Sequence, residues 1–422
     1  MNIKKIHAIQ VLDSRGNPTI EVQLNTEKNQ VNAIVPSGAS TGDYEALELR
    51  DNKKEYGGKS VNKAIQNVNK IIAPLLKNKS VMDQEKLDVI LIQKDNTSNK
   101  SNLGANAMLA VSMATTRAAA KENKLPLYKY ISQKTKSKIS LPLPFANVIN
   151  GGVHAGNDLE FQEFMIVPTG AKSFSQATQM ISETYHVLKE IIKNKYGKNA
   201  VNVGDEGGFA PPISKPEEAL NLIVEAIKKA KYQNKIKIAM DPAASEFYDK
   251  KIKTYTKNKW TSKQLENIYI KLIQKYPIIS LEDPFDQDDF NAWKSITNNK
   301  EIKQNKIQIV GDDLTVSNPV RVQLAIENKL CNALLLKINQ IGTITEALLS
   351  AEIAMDAGWN VMVSHRSGET EDSFISDFAT GIGCGQIKLG APCRGERTAK
   401  YNQLLRIEDE LGKSSKFFKF KN

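Results

Sequence analysis

Three acidic residues stand where short apolar runs of the sequence end. Asp241 and Glu282 directly follow such runs, and Asp312 follows a third one after a single glycine. Carboxylate oxygens are the ligands that a hard divalent cation such as Mg²⁺ prefers. One acidic residue at such a place often only caps a helix or braces a loop. Three acidic residues at equivalent positions after successive apolar runs favour a cation site. Lys337 follows the next run and would place an amino group beside that site.

The apolar runs have the composition of strands that are buried on both faces. They lie at 236–240, 278–281, 307–310, 333–336 and 361–363, with helical patterns between them, as in a parallel sheet covered by helices. Their ends recur at intervals of about 25 to 40 residues, the length of one unit of a (β/α)8-type barrel. The carboxyl ends of barrel strands share one mouth, so we expect the acidic residues to meet there.

The first part of the chain follows a different pattern. Residues 3–35 alternate apolar and polar around a turn signal at 13–18, which is typical of antiparallel strands. Helical patterns come next, so this part indicates a compact α+β domain. The fold class is therefore α/β, with an N-terminal α+β domain at 1–135 and a C-terminal barrel at 136–422.

Composition excludes several classes of protein. The 422 residues are 41% hydrophobic and 25% charged, which argues against disorder. We find no apolar run near the roughly 18 residues of a membrane span and no secretory signal, so a cytoplasmic location is expected. The net charge of +11 comes from lysines scattered along the chain, which argues against nucleic-acid binding. Cys331, Cys384 and Cys393 form no disulfide or zinc pattern.

Several longer motifs surround these residues, many of them rich in glycine. They are DSRGNP at 13–18, PSGASTG at 36–42, GDEGG at 204–208, LEDPF at 281–285, GDDL at 311–314, LKINQIG at 336–342 and SHRSGET at 364–370. In these motifs and their order, the sequence resembles the enolase family over essentially its whole length. The segment from Asp377 to Thr380 departs from the family pattern, and we expect it to affect helix packing.

The resemblance implies a barrel of the order ββαα(βα)6, capped by an N-terminal domain with a mobile catalytic loop. It implies reversible, Mg²⁺-dependent dehydration of 2-phospho-D-glycerate to phosphoenolpyruvate in glycolysis and gluconeogenesis, with two Mg²⁺ ions per active site. It also implies a homo-oligomer, either a dimer or an octamer.

The resemblance assigns roles to individual residues. Lys337 matches the catalytic base and Glu206 the acid. The ligands of the first Mg²⁺ are Asp241, Glu282 and Asp312, and Ser40 helps to hold the second. The residues that match substrate-contacting or supporting positions are His154, Gln162, Glu163, His365, Arg366, Ser367 and Lys388. His154 and Glu163 could also have purely structural roles.

The chemistry explains why such residues are needed. Removing the C2 proton beside a carboxylate makes a dianion, which two Mg²⁺ ions can stabilise; the enolase superfamily is itself a well-known case of a lysine base that works with Mg²⁺. Lys337 must be neutral to take the proton. Hydroxide is the leaving group, so we expect Glu206 to be kept near its protonated form by neighbours such as Glu163.

Two alternatives stay open at this point. A racemase or cycloisomerase of the same superfamily would share the three carboxylates, but not Ser40, Glu206 or the group at 365–367. A second role in binding host plasminogen, with a cell-surface or secreted fraction, would use the C-terminal lysines. These are Lys413, Lys416, Lys419 and Lys421, although a scattered basic tail is more often only a solvated end.

Overall fold

The computed structural model describes residues 1–39, 41–256 and 258–420. The N-terminal part begins with strands β1 (Lys5–Leu12), β2 (Pro18–Asn25) and β3 (Gln30–Ile34). Its helices are α1 (Asn62–Asn67), α2 (Ala73–Leu76), α3 (Gln84–Asp95), α4 (Ala105–Glu122) and α5 (Leu127–Thr135), with a π-helical turn at Val68–Ile72. The strands form an antiparallel sheet in chain order, as the alternating pattern predicts.

The β1–β2 hairpin is closed by a loop that one side chain organises. Oδ1 of Asp13 accepts the backbone N–H groups of Arg15 and Asn17 at 2.9 and 2.8 Å, an arrangement that Asp favours in turns. Helix α4 packs against β2 and β3 and is buried on nearly its whole circumference. Its alanines allow this close packing because they carry little side-chain volume.

Eight strands close into a barrel. They are β4 (Leu143–Asn150), β5 (Glu163–Val167), β6 (Lys237–Asp241), β9 (Ile278–Glu282), β10 (Gln308–Gly311), β11 (Ala333–Leu336), β12 (Asn360–Ser364) and β13 (Gly385–Lys388). The short strands β7 (Tyr248–Asp249) and β8 (Thr254–Tyr255) form a separate hairpin. The neighbours in the barrel are parallel except that β5 is antiparallel to both β4 and β6.

The helices around the barrel follow the strands in order. They are α6 (Phe174–Tyr196), α7 (Pro216–Lys229), α8 (Ser262–Lys275), α9 (Phe290–Asn298), α10 (Lys300–Gln304), α11 (Pro319–Asn328), α12 (Ile338–Ile341), α13 (Ile344–Asp356), α14 (Phe374–Ile382) and α15 (Gly395–Leu411). Two strands, two helices and six strand–helix units make up this succession, so the predicted order ββαα(βα)6 is confirmed. Among the helices described, none has the length and apolar character that crossing a bilayer requires.

The inside of the barrel is apolar at its centre. Side chains from alternate strand positions fill it, and aromatic residues of the C-terminal tail pack on this layer, so the barrel is a packed core and not a pore. The inward-facing residues are Leu143, Phe145, Met165, Val167, Ala239, Ile279, Val310, Ala333, Leu335 and Met362. The charged residues Asp241, Glu282 and Lys388 lie outside this layer, at the carboxyl ends of their strands.

One buried ion pair joins the two parts of the chain. Both guanidinium nitrogens of Arg117 on α4 donate to the carboxylate of Asp372 at 2.6 Å, next to the start of α14. Asp372 also accepts the backbone N–H of Ile34 and of Phe374. The carboxylate is 6% exposed, so its loss of hydration is compensated by these donors.

We predict that Arg117→Ala lowers the thermal unfolding midpoint, because it leaves a buried carboxylate without its partner at a cost of about 3 kcal/mol. Lys129→Ala is the matched control, since Lys129 also pairs across the two parts, with Glu410, but both side chains are exposed. Its loss should cost less than about 1 kcal/mol. Equal midpoints for the two variants in differential scanning calorimetry would contradict this interpretation.

A second buried carboxyl group lies in the segment that departs from the family pattern. Burial raises the pKa of Asp377 to about 6, against the opposing effect of Arg117 and a hydrogen bond from Gln403. The folded chain therefore binds a proton more tightly here than the unfolded chain does. The contribution of Asp377 to stability should therefore fall as the pH rises from about 4 to about 6 and stay reduced above that range.

Asp377→Asn should consequently stabilise the protein at pH 7.5 and raise its thermal unfolding midpoint. The gain in free energy of unfolding is up to about 3 kcal/mol, and at pH 4 the substitution should have little effect. The asparagine carbonyl can still accept from Gln403, so the hydrogen bond is kept. Thermal unfolding of both proteins across this pH range is the measurement. A gap between them that does not change with pH would show that the ionisation of Asp377 is not its source.

Candidate active site

The mouth of the barrel collects the acidic residues at the strand ends. Asp241 ends β6, Glu282 ends β9, and Asp312 follows β10, which pairs with β9. All three are buried. Because the three strands are parallel neighbours, their carboxyl ends lie side by side, and the predicted grouping follows from this topology.

Lys388, at the end of β13, lies among these carboxylates. Its ammonium nitrogen is 2.8 Å from Oε1 of Glu282 and 3.0 Å from Oδ2 of Asp241 and from Oε2 of Glu163. Burial alone would lower the pKa of Lys388, but these carboxylates raise it well above its ordinary value. Lys388 is therefore charged and partly neutralises the cluster.

The cluster keeps features that suit a cation. Burial, followed by the charge of Asp241, raises the pKa of Glu282 well above its ordinary value. Within the described residues, Oε2 of Glu282 is buried and has no hydrogen-bond partner. An unpaired buried carboxylate oxygen is costly, and a divalent ion would satisfy it. The donor set of carboxylate oxygens fits Mg²⁺.

A second set of carboxylate oxygens also converges near Asp312. In the described part of the chain, ligand atoms of Asp283, Asp312 and Asp313 lie within 4.8 Å of one another. Asp283, however, accepts the backbone N–H groups of Asp312 and Asp313 at 2.8 Å each. Asp283 therefore holds this loop in place and orients Asp312, in the way that residues next to a metal ligand commonly orient it.

Lys337 lies beside Asp312. Its ammonium group donates to Oδ2 of Asp312, and its backbone N–H donates to Ser317 at 2.8 Å. Burial would lower the pKa of Lys337, but Asp312 outweighs this effect and raises it. The position suits a base, although the amino group is protonated in this arrangement.

A second cluster joins two glutamates to two histidines. Nδ1 of His154 is 3.6 Å from an oxygen of Glu163 and from one of Glu206, and Nε2 of His365 is 3.3 Å from Glu206. Asn147 also donates to Glu206 at 3.1 Å. One oxygen of Glu163 and one of Glu206 lie within 4.8 Å of each other, so the charge of each carboxyl group affects the other.

The pKa values of the two carboxyl groups shift in opposite directions. Burial, and then the charge of Glu206, raises the pKa of Glu163 well above its ordinary value. Burial acts in the same direction on Glu206, but His365 and His154 hold the pKa of Glu206 well below it. These directions favour a proton on Glu163, whereas the family resemblance led us to expect one on Glu206, and that expectation stays a prediction.

An arginine sets the orientation of His365. Nη1 of Arg397 lies 2.6 Å from Nδ1 of the imidazole, and since arginine only donates, Nδ1 must be the acceptor. Burial lowers the pKa of His365 to about 4, so the ring is neutral near pH 7 with its proton on Nε2, facing Glu206. Arg397 also donates to the carbonyls of Arg366 and Ser367, which fixes this loop.

Arg366 reaches from the end of β12 to the N-terminal part. Its guanidinium group contacts both carboxylate oxygens of Glu45 at 3.0 and 3.1 Å and Asn339 at 3.0 Å. Neither Glu45 nor Gln340, which donates to Asp312, was predicted from the sequence. The sequence feature that could have identified Gln340 is its place in the motif LKINQIG, three residues after Lys337.

One cavity brings most of the predicted residues together. Its lining includes His154, Gln162, Glu163, Glu206, Asp241, Asp312, Lys337, His365, Arg366, Ser367 and Lys388. Glu282 contacts the site through Lys388. Ser40 lies outside the described residues, so its predicted role stays a prediction.

Comparison with known proteins gives a consistent result for both parts of the chain. The sequence model described as "Enolase, N-terminal domain" matches residues 3–131. The one described as "Enolase, C-terminal TIM barrel domain" matches residues 138–421. "Enolase 1" of Entamoeba histolytica is 54% identical over 426 residues, which cover 98% of this chain and 97% of that protein.

We expect Mg²⁺ to raise the thermal unfolding midpoint, because an ion that binds only the folded state stabilises it by about 2.7 kcal/mol at a hundred times its Kd. Glu282→Gln should reduce this shift strongly. Asp377→Asn is the control, since it also removes a buried carboxyl group but lies on α14. A Mg²⁺ shift in Glu282→Gln as large as in the unaltered protein would rule out Glu282 as a ligand.

Proposed function

The chain belongs to the enolase family, and we propose how its residues divide the work of that family's reaction. The enzyme is a lyase that converts 2-phosphoglycerate reversibly to phosphoenolpyruvate and water, and it depends on a divalent metal. The identity of the metal as Mg²⁺, the two ions per site and the role of each residue are the proposal. The observation that carries it is the placement of Lys337 and the Glu163–Glu206 pair around one buried cavity.

Asp241, Glu282 and Asp312 would hold the first Mg²⁺. The bound metal supplies positive charge that stabilises the dianionic carboxyl group formed when the C2 proton leaves. Lys388, already charged and buried among carboxylates, would balance the substrate's carboxylate. The second ion, with Ser40 as a ligand, stays a prediction from the resemblance.

Lys337 removes the C2 proton in this proposal. Its amino group must first be neutral, and what holds its proton in this structure is the charge of Asp312. When the oxygens of Asp312 are engaged with a cation, that effect is weakened and the pKa of Lys337 falls. Burial of the side chain acts in the same direction.

The Glu163–Glu206 pair supplies the proton for the leaving hydroxide. One proton held between two close carboxyl groups belongs to the pair and not to either residue. Glu206 donates it to the C3 oxygen, which leaves as water, and Glu163 holds it before the substrate arrives. His365, with its Nε2 proton facing Glu206, and His154 set which carboxyl group is protonated.

Arg366 and Ser367 would bind the phosphate through charge-assisted hydrogen bonds. Arg397 supports both residues by holding their carbonyl groups. The racemase and cycloisomerase alternative is not favoured, because the comparisons indicate the enolase reaction. The cytoplasmic location, the homo-oligomer and a role in binding plasminogen remain proposals that rest on the resemblance.

We predict that Lys337→Ala and Glu206→Gln each lower kcat by about 10² to 10⁴, the usual contribution of a general acid or base. Formation of phosphoenolpyruvate from 2-phosphoglycerate, followed by its ultraviolet absorbance with Mg²⁺ and with EDTA, is the measurement. Lys129→Ala should keep its activity, since it removes an exposed lysine away from the site. Full activity in either site variant, or in EDTA, would contradict the proposal.

A further inference from the structure

Gln340 connects a residue of the cation site to the N-terminal part of the chain. Its side-chain nitrogen donates to Oδ1 of Asp312 at 2.8 Å and to Oε1 of Glu45 at 3.2 Å. Gln340 is 1% exposed, so water does not compete for these bonds. Both donors of the amide are thus used, one on each part of the chain.

A hydrogen bond to the amide oxygen fixes the orientation of the Gln340 side chain. Ser317 donates its hydroxyl to Oε1 of Gln340 at 2.6 Å and accepts the backbone N–H of Lys337 at 2.8 Å. The hydroxyl hydrogen is therefore directed at the amide oxygen, which leaves the amide nitrogen facing the two carboxylates. A flipped amide would place an oxygen against Asp312 and lose three hydrogen bonds.

Glu45 belongs to a segment of the N-terminal part that contacts Gln340 and the cavity residue Arg366, and we call residues 42–46 the lid. The backbone N–H of Ala46 donates to the Gln340 carbonyl at 2.8 Å. Glu45 contacts Arg366 at 3.0 Å, and the N–H of Gly42 donates to Glu45 at 3.2 Å. Gln340 thus holds the lid by both its side chain and its backbone.

The far side of the lid has separate anchors. The N–H of Asp43 donates to Gln287 at 3.0 Å, and the hydroxyl of Tyr44 donates to Asp288 at 2.9 Å. Neither contact involves Asp312. Lys250 pairs with Asp43 and Arg321 stacks on Tyr44 on this side as well, while Gln340 and Arg366 hold Glu45 on the other side. Gln340 is the contact of the lid that also donates to Asp312.

We propose that Gln340 is a positioning residue that links cation binding at Asp312 to the docking of the lid. Its bond to Oδ1 orients the Asp312 carboxylate for the ion. A cation on Asp312 would hold that carboxylate in place, and with it the Gln340 side chain that Ser317 orients toward Glu45. By linkage, a docked lid must favour cation binding to the same extent. This inference rests on the proposed cation site at Asp312.

The test uses Gln340→Leu, which keeps the volume of the side chain but removes the amide. Isothermal titration with Mg²⁺ should give a Kd raised about tenfold or more, the usual effect of losing a residue that orients a metal ligand. Hydrogen–deuterium exchange of the peptide that contains 42–46 reports lid docking. Mg²⁺ should slow this exchange in the unaltered protein, and this response should be lost in Gln340→Leu even at saturating Mg²⁺.

Gln287→Ala is the matched control, because it releases the lid at the other anchor. It should speed hydrogen–deuterium exchange of the lid peptide. The Kd for Mg²⁺ should stay unchanged, and Mg²⁺ should still slow this exchange. Ser317→Ala is a second variant that frees the amide to rotate, although it also removes the acceptor of the Lys337 backbone N–H. It covers the case in which Gln340→Leu does not fold. It should weaken both Mg²⁺ binding and the response of the lid.

Two results separate the possible failures. If the unaltered protein does not bind Mg²⁺, the proposed cation site is wrong. If it binds Mg²⁺ but the Gln340→Leu or Ser317→Ala protein, folded by circular dichroism, keeps the same Kd and the same lid response, only the role of Gln340 is overturned.

Discussion

The structure depends on an excess of buried negative charge at the mouth of the barrel. Carboxyl groups from neighbouring strand ends meet there, and Lys337, Lys388 and Arg366 only partly neutralise them. Charge of one sign can be held in a buried site only if cations, shared protons or hydrogen-bond donors compensate it. Three features of the site provide such compensation. Lys388 lies among the carboxylates, and burial raises the pKa of Glu163, which favours its protonated form. An oxygen of Glu282 without a hydrogen-bond partner remains for a metal ion.

The strand-end residues could be predicted from the sequence because their signal is local. An apolar run followed by an acidic residue identifies both a buried strand and the end at which it opens to the mouth. Strands β4, β5 and β13 were not identified in this way. The antiparallel direction of β5 is a property of the topology, so it came only from the family resemblance, and β13 carries the polar residue Gln386 inside the barrel.

Contacts between distant parts of the chain could not be predicted. Gln340 and Glu45 are 295 residues apart in the sequence, and no pattern within either segment shows that they meet. The protonation of the glutamate pair is also a collective property, since it depends on where His154, His365 and Lys388 lie relative to both carboxyl groups. Residue types indicated an acid at this place, but the directions in which the two pKa values shift follow only from the geometry.

The central claim is that Lys337 and Glu206 act on different bonds of the substrate. Exchange of the C2 proton of 2-phosphoglycerate in D2O with Mg²⁺, followed by proton NMR, separates the two steps because it needs only the base. We expect Glu206→Gln to catalyse this exchange while forming little phosphoenolpyruvate, and Lys337→Ala to catalyse neither. Exchange by Lys337→Ala at the rate of the unaltered enzyme would contradict the account.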